Sequence, residues 1–383
     1  MRTLRKIFLS SLCAAFGCMA FLAGIEQAGA VVPIIADVAK NPNEVGTPVC
    51  GRTNPTTIVV NLAAVEVVAH LTKDKAYLFW TFAPADSTGQ PIGKPTVPGP
   101  MIRCMEGDTV VINLTSNLPN IEPHNIDLHA VMGPGGGAAV TNVQPDGMTK
   151  TLQFTALRQG AFIYHCAGEG MPWEHVAHGM FGLILVEPRG GLSQFVEGME
   201  VKEFYVGQTE WYPTNEIVID PAISTSPFFN LDMQKASDEH PDIFSFNGHQ
   251  NALTDASIQG EAMLARPGQY VRVFFVNGGP NIGSNFHIIG QIFDRVIKGS
   301  KQTPELNEET VYVAPGSAAT FEMSALVPGQ YLLVDHALFR VPKGAGGHMH
   351  VLPECASISN PGSWTCGGWP FSIFSPPAHG TGH

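Results

Sequence analysis

A cysteine, two histidines and a methionine lie close together in one segment of the chain. Cys166 is followed nine residues later by His175, and Met180 stands five residues beyond that histidine. These side chains supply a thiolate, an imidazole and a thioether, and with one further histidine they form the donor set that suits copper cycling between Cu(II) and Cu(I). His178 is a second imidazole in the same segment, but we favour His175 because it keeps the spacing to Met180. The segment therefore predicts a thiolate-bound copper site for electron transfer.

Histidines upstream supply the missing imidazole and indicate a second site. His124 and His129 are five residues apart, and His165 directly precedes Cys166. Because successive side chains of an extended strand point to opposite faces, residues an odd number apart diverge. We therefore predict two metal sites on shared strands. One contains His124 and the Cys166 segment, and the other begins with His129 and His165.

Several motifs of the chain match one known family. They extend over residues 97–350 and include Val97-Pro98-Gly99-Pro100-Met101, His124-x-x-Asp127-x-His129, His165-Cys166, Gly179-Met180 and Phe246-Asn247-Gly248. On these motifs the chain resembles the copper-containing nitrite reductases that consist of two cupredoxin domains. One departure is that Glu174 separates Trp173 from His175, which alters the surface offered to an electron donor.

The resemblance implies a reaction and two copper sites per chain. Nitrite is reduced to nitric oxide and water by one electron, which enters at a type 1 copper and passes to a type 2 copper where nitrite binds. The type 2 copper lies between adjacent subunits of a homotrimer. The implied type 1 ligands are His124, Cys166, His175 and Met180, and the implied type 2 ligands are His129, His165 and His336.

The same resemblance implies the residues that act on nitrite. His287, in Phe286-His287-Ile288-Ile289, matches the catalytic histidine of the second domain, Ile289 is the bulky residue above the copper, and Thr310 orients His287. Asp127 lies two residues before His129 and shares its strand face. A carboxylate beside a metal and a histidine that titrates near neutrality can deliver the two protons that the reaction needs.

Two other functions remain as alternatives. A two-domain laccase-like multicopper oxidase needs several His-x-His pairs and a histidine directly after the cysteine, whereas Ala167 follows Cys166 and His287 is followed by two isoleucines. A copper carrier or electron-transfer protein would not need two domains and a second histidine set. The His348-x-His350 pair lies outside the matched sites.

Composition indicates the elements that position these residues. Gly (41) and Pro (30) are abundant among 383 residues, so turns divide the chain into short segments that favour strands. Segments rich in β-branched residues, such as Thr56 to Ala69 and Thr109 to Leu114, recur throughout. We predict an all-β fold of two tandem Greek-key β-sandwich domains, which the resemblance identifies as cupredoxin-like. The expected divisions are a signal peptide at 1–30, domains at 31–190 and 191–355, and an irregular extension at 356–383.

The N-terminus, the charge and the cysteines indicate the compartment and the partners. A basic start, an apolar run and Ala28-Gly29-Ala30 predict a cleaved signal peptide and export to the periplasm, with an uncleaved anchor as the alternative. The net charge of −12 excludes nucleic acid and favours a basic or uncharged electron donor, such as a c-type cytochrome or a small cupredoxin. Beside Cys166, the exported chain has Cys50, Cys104, Cys355 and Cys366, which allow two disulfides in three pairings, with Cys355 to Cys366 preferred.

Overall fold

Strands are the main regular secondary structure of the part of the chain that the structure describes. A computed structural model describes residues 31–254 and 263–353. The predicted signal peptide, the Cys355–Cys366 pair and the C-terminal extension lie outside the described residues. Two short α-helices occur in the described part, α1 at Pro172–Ala177 and α2 at Met233–Ser237. None of its helices has the length and apolar character needed to cross a membrane.

The first half of the chain forms two four-stranded sheets. Their orders are β2-β1-β4-β6 and β3-β8-β7-β5. The strands are β1 Thr57–Thr72, β2 Lys75–Pro84, β3 Ile102–Met105, β4 Thr109–Ser116, β5 Asp127–Leu128, β6 Thr149–Thr155, β7 Gly160–His165 and β8 Phe181–Glu187.

The second half forms a six-stranded and a five-stranded sheet. Their orders are β10-β9-β12-β17-β14-β15 and β11-β19-β18-β13-β16. The strands are β9 Val201–Trp211, β10 Ile243–Phe246, β11 Met263–Ala265, β12 Gln269–Gly279, β13 Ser284–Ile288, β14 Phe293–Lys298, β15 Glu305–Glu308, β16 Thr310–Val313, β17 Ser317–Ala325, β18 Gly329–Asp335 and β19 Gly346–Val351. The prediction of an all-β chain with two tandem sandwiches is confirmed.

Three apolar cores hold these sheets together. One fills the first sandwich, one fills the second, and a third includes residues of both halves, among them Phe181 from β8 and Phe274 from β12. Strand β2 lies between two of the cores, since Trp80 belongs to the first sandwich and Phe79 to the shared core. The shared core therefore fixes the two sandwiches against each other.

Buried ion pairs reinforce the contact between the halves. Arg103 Nε lies 2.7 Å from Glu187 Oε1, and Arg103 Nη1 lies 2.6 Å from Glu203 Oε2 in the second half. Glu203 also binds Arg272, at 2.9 Å. Because each charge has an opposite partner, the interface can bury these groups without leaving one of them unpaired.

The predicted disulfides are wrong for the cysteines that the structure describes. Cys50 and Cys104 are both free. Cys50 is exposed in a turn, whereas Cys104 is buried on β3 in the core of the first sandwich, where burial raises the pKa of its thiol to about 12. A thiol so deeply buried is an inert part of the core.

Candidate metal centres

Three of the predicted type 1 ligands lie close together at the C-terminal end of β7. Cys166 follows this strand, His175 lies on α1, and His124 precedes β5. His175 Nδ1 lies 3.2 Å from Cys166 Sγ and 3.2 Å from His124 Nδ1, and the distance from Sγ to His124 Nδ1 is 3.9 Å. All three ligand atoms lie within 4.8 Å of one another, which is close enough for one ion to bind them. All three residues are buried.

Hydrogen bonds orient the ligand atoms of this first centre. His124 Nε2 lies 3.1 Å from Glu66 Oε1, which as a carboxylate oxygen accepts, so the Nδ1 lone pair is left for the metal. The backbone N–H of Asn125 donates to Cys166 Sγ at 3.3 Å, and Asn125 Oδ1 accepts from Ala167 N at 2.7 Å. The site is therefore preorganised by groups that are not ligands themselves.

Backbone hydrogen bonds join the two ends of the loop from Cys166 to Met180. Cys166 N donates to the Met180 carbonyl at 3.0 Å, and Met180 N donates to the His175 carbonyl at 3.1 Å. Gly179 has a φ of +110°, and a Cβ there would lie 2.9 Å from Val97 Cγ2, so a glycine is required at this turn. Met180 is fully buried in the same core as Cys166.

Trp80 packs against the histidines of this centre, a contact that our sequence reasoning missed. Its ring stacks on His178 at a centroid distance of 4.0 Å and lies 4.9 Å from the His175 ring. His178 Nδ1 donates to the Leu78 carbonyl at 2.8 Å. The structure therefore directs His178 away from the thiolate and places His175 beside it.

The protonation of the buried histidines follows from their surroundings. Burial, together with the imidazoles of His124 and His178, lowers the pKa of His175 to about 3, so this ring is neutral and can donate a lone pair. Burial also opposes charge on His124, but hydrogen bonds to Cys166 and Glu66 outweigh it and raise its pKa to about 9. A metal bound there would compete with this proton.

Half of the predicted type 2 centre forms at the edge of the first sandwich. Asp127, His129 and His165 lie together, with the two Nε2 atoms 3.2 Å apart. His165 Nδ1 donates to the Cys166 carbonyl at 3.0 Å, which leaves its Nε2 lone pair free to bind a metal. Burial and the His165 ring lower the pKa of His129 although Asp127 opposes this shift, so His129 is also suited to binding as a neutral imidazole.

The second sandwich presents the remaining residues on β13 and after β18. The rings of His287 and His336 have centroids 5.3 Å apart. His287 Nδ1 donates to the Glu309 carbonyl at 2.6 Å, and Thr310 lies opposite His287 in the β13–β16 pair. Ile289, two residues beyond His287, is 44% exposed. In the structure the carbonyl of Glu309, rather than a side chain, binds the His287 ring.

The single chain does not bring all three type 2 histidines together. His129 and His165 are grouped with Asp127, whereas His336 belongs to neither cluster of three donors that the described residues form. His129 and His336 are both exposed. The described part of one chain therefore carries these three histidines in two separate places.

Both donor sets fit copper by their chemistry. Thiolate, thioether and imidazole donors suit a copper that changes oxidation state, and paired imidazoles suit copper as well. Two packed β-sandwiches, the first of which carries these donor sets, define a two-domain copper protein of the cupredoxin class.

Comparison with known proteins identifies the family within this class. The chain is 39% identical over 322 residues to a copper-containing nitrite reductase of Neisseria meningitidis serogroup A, covering 84% of this chain and 76% of the relative. It is 32% identical over 278 residues to the copper-containing nitrite reductase of Alcaligenes xylosoxydans, covering 70% and 79%. The chain belongs to the copper-containing nitrite reductase family, and copper is its cofactor.

Structural comparison agrees with this assignment. A copper nitrite reductase from Nitrosomonas europaea superposes with a TM-score of 0.63 at 28% identity, covering 79% of this chain and 96% of that chain. The multicopper oxidase family model matches residues 92–191. A multicopper oxidase structure with a TM-score of 0.61 is 19% identical and shows the shared fold alone.

Proposed function

We propose that this chain reduces nitrite to nitric oxide and water, consuming one electron and two protons. The observation on which the proposal rests is that adjacent residues, His165 and Cys166, belong to two different donor sets. When bound, copper would exchange one electron at the buried set and would withdraw charge from the nitrite oxygens at the exposed set. One peptide unit joins the two sets, so the electron path between them is short.

Asp127 and His287 would supply the protons. Asp127 lies in the same cluster as His129 and His165. Its carboxyl group could therefore pass a proton to a substrate held at that site. Because His287 donates its Nδ1 proton to the Glu309 carbonyl, its Nε2 is the nitrogen that can gain and release a proton. Two different groups would thus act in one turnover.

The type 2 site would form between two copies of the chain in a homotrimer. The proposal is supported by the exposure of His129 and His336 and by the incomplete sets in the single chain. His129→Ala and His336→Ala should each abolish nitrite reduction when expressed alone. Trimers assembled from a mixture of both should recover about a quarter of the wild-type activity, because one interface in four then combines two intact halves. A mixture that stays inactive contradicts a shared site.

The electron donor would bind beside α1. Trp173 and Met171 are 52% and 40% exposed next to the buried His175, and Ile121 is also exposed. A c-type cytochrome or small cupredoxin with an apolar, basic-rimmed face would complement this patch on an acidic protein. Trp173→Ala should raise the KM for a protein donor and leave turnover with a small reducing dye unchanged. An unchanged KM for the protein donor contradicts this docking site.

The compartment would be the periplasm. The support is the basic start, the apolar run and the Ala28-Gly29-Ala30 site of the predicted signal peptide. N-terminal sequencing of the protein from its native host, after fractionation, tests this proposal. A protein recovered from the cytoplasm with Met1 retained contradicts it.

The activity itself is tested by supplying nitrite and a reduced dye to copper-loaded protein without oxygen. We expect two coppers per chain, nitric oxide as the product, and an intense thiolate–copper absorption that Cys166→Ala abolishes together with turnover. A protein that binds copper but forms no nitric oxide, or that instead reduces oxygen to water, overturns the proposal in favour of an electron carrier or a laccase-like oxidase.

A further inference from the structure

A fully buried carboxylate lies directly beside His336. Asp335 ends β18 and has no exposed surface. Its Oδ2 accepts from Gln208 Nε2 at 2.9 Å and from Arg340 Nη1 at 2.6 Å. Its Oδ1 accepts from Asn285 N at 3.2 Å, from Asn285 Nδ2 at 3.3 Å and from Ala337 N at 3.1 Å.

Apart from Gln208 on β9, the donors to this carboxylate come from the elements that position His287 and His336. Asn285 lies on β13, two residues before His287, while Ala337 and Arg340 follow His336 in the segment after β18. A backbone bond from His336 N to the Asn285 carbonyl, at 2.8 Å, joins the same two segments. Asp335 therefore connects the His287 strand with the His336 loop, since its Oδ1 accepts from Asn285 in the first and from Ala337 in the second.

The groups around Asp335 require a side chain whose two oxygens both accept hydrogen bonds. Ser284 Oγ donates to Gln208 Oε1 at 2.6 Å, so the amide group of Gln208 must turn its Nε2 towards Asp335. The Arg340 guanidinium can act as a donor and never as an acceptor. An asparagine would place an N–H₂ group against one of these two sets of donors, which leaves buried hydrogen-bonding groups unsatisfied.

We propose that Asp335 is a positioning residue, which holds His287 and His336 in a fixed relation so that the second sandwich presents them as one preassembled half of the type 2 site. The inference rests on the proposed function for the role of those histidines. Groups that orient metal ligands in this way change metal affinity about 10–100-fold when they are removed. A merely structural ion pair would change stability and leave copper affinity unaltered.

The test compares Asp335→Asn with a matched control, Glu322→Gln. Glu322 is a carboxylate of the same sandwich that is 1% exposed and accepts from Arg272 and Arg295, which lie on β12 and β14, away from His336 and β13. Copper-loaded trimers are titrated with a copper chelator, while the type 2 signal is followed by electron paramagnetic resonance. The thiolate–copper absorption of the first sandwich serves as the internal reference.

We expect Asp335→Asn to bind type 2 copper about 10-fold more weakly or worse, with the type 1 absorption retained, and Glu322→Gln to bind it as the wild type does. If Asp335→Asn is not recovered folded, Gln208→Leu decides, because it removes one hydrogen bond and should weaken type 2 copper binding in the same direction. Wild-type affinity in the variant that is recovered, or an equal loss in Glu322→Gln, overturns the inference. Should wild-type protein bind both coppers yet form no nitric oxide, the proposed function fails while this comparison of affinities still stands.

Discussion

Gly136 has no side chain, and the Asp127 carboxylate occupies the space that a side chain there would fill. A substitution at Gly136 therefore tests the role of Asp127 while residue 127 itself stays unchanged. An ideal Cβ on Gly136 would lie 1.9 Å from Asp127 Oδ1, whereas ordinary contacts begin at 3.4 Å. In Gly136→Ala the carboxylate must therefore recede by about 1.5 Å, and displacing a catalytic group by about 1 Å can reduce a rate about 100-fold. We expect nitrite turnover to fall about 100-fold, equivalent to about 2.7 kcal/mol of activation free energy.

A neighbouring glycine provides the control for this substitution. Gly135 has a φ of +68° and nothing within 4 Å of its ideal Cβ, while Gly136 has a φ of +52°. Alanine costs about 1–2 kcal/mol of backbone energy at either position, but only at Gly136 does it meet Asp127. Steady-state nitrite reduction is compared at equal copper content and equal type 1 absorption. If Gly136→Ala and Gly135→Ala turn over nitrite within threefold of each other, the reasoning about Asp127 is refuted.

Further predictions concern proton delivery, the type 1 potential and pH stability. Asp127→Asn and His287→Ala should keep the thiolate–copper absorption and lose at least about 100-fold in nitrite turnover; full activity in both removes them from proton delivery. Glu66→Gln keeps an oxygen that accepts from His124 but removes the negative charge of the carboxylate. Redox titration should therefore show a type 1 potential raised by about 60 mV for each tenfold loss of Cu(II) preference, and an unchanged potential contradicts this. Burial raises the pKa of Glu210 from 4.5 to about 7, so the folded state retains a proton that the unfolded chain has lost, and unfolding free energy falls as pH rises between these values. Urea denaturation at pH 5 and pH 8 should show that Glu210→Gln removes about 2.5 kcal/mol of this decline, and identical pH dependence in both proteins would contradict the assignment.

The strand pattern predicted the fold class well, but it did not single out every strand. Strand β1 is rich in β-branched residues and bounded by turn residues, which is why it was predictable. Strand β2 has no polar alternation because its two faces enter two different cores, and seven of its consecutive residues are buried. An apolar run of this kind does not distinguish a strand from a buried helix by its period.

The ligands were more predictable than the groups that orient them. Cys166, His175 and Met180 occur within one loop, so their spacing indicated a site before any fold was known. Glu66 is 58 residues from His124, and its role depends on a contact that the fold creates. The available signal was a single acidic residue inside the apolar run of β1. A buried carboxyl group of this kind requires a partner, and here that partner is His124, a predicted copper ligand.

The position of His336 illustrates a different limit. Sequence placed it with His129 and His165 through resemblance to a family, yet the chain by itself keeps it apart from them. A site shared between copies, as we propose for the type 2 copper, leaves no spacing within one chain from which it can be recognised. Asp335, adjacent to His336, gave no signal of its own because one buried acidic residue looks like any other until its five hydrogen bonds are known.

A single-turnover reaction tests the proposed activity most directly. Copper-loaded protein is reduced without oxygen until the thiolate–copper absorption disappears, the reductant is removed, and nitrite is added. We predict that the absorption returns as the copper is reoxidised and that one nitric oxide is released for each electron transferred to nitrite. Protein that stays reduced after nitrite is added, or that is reoxidised without releasing nitric oxide, contradicts nitrite reduction by this chain.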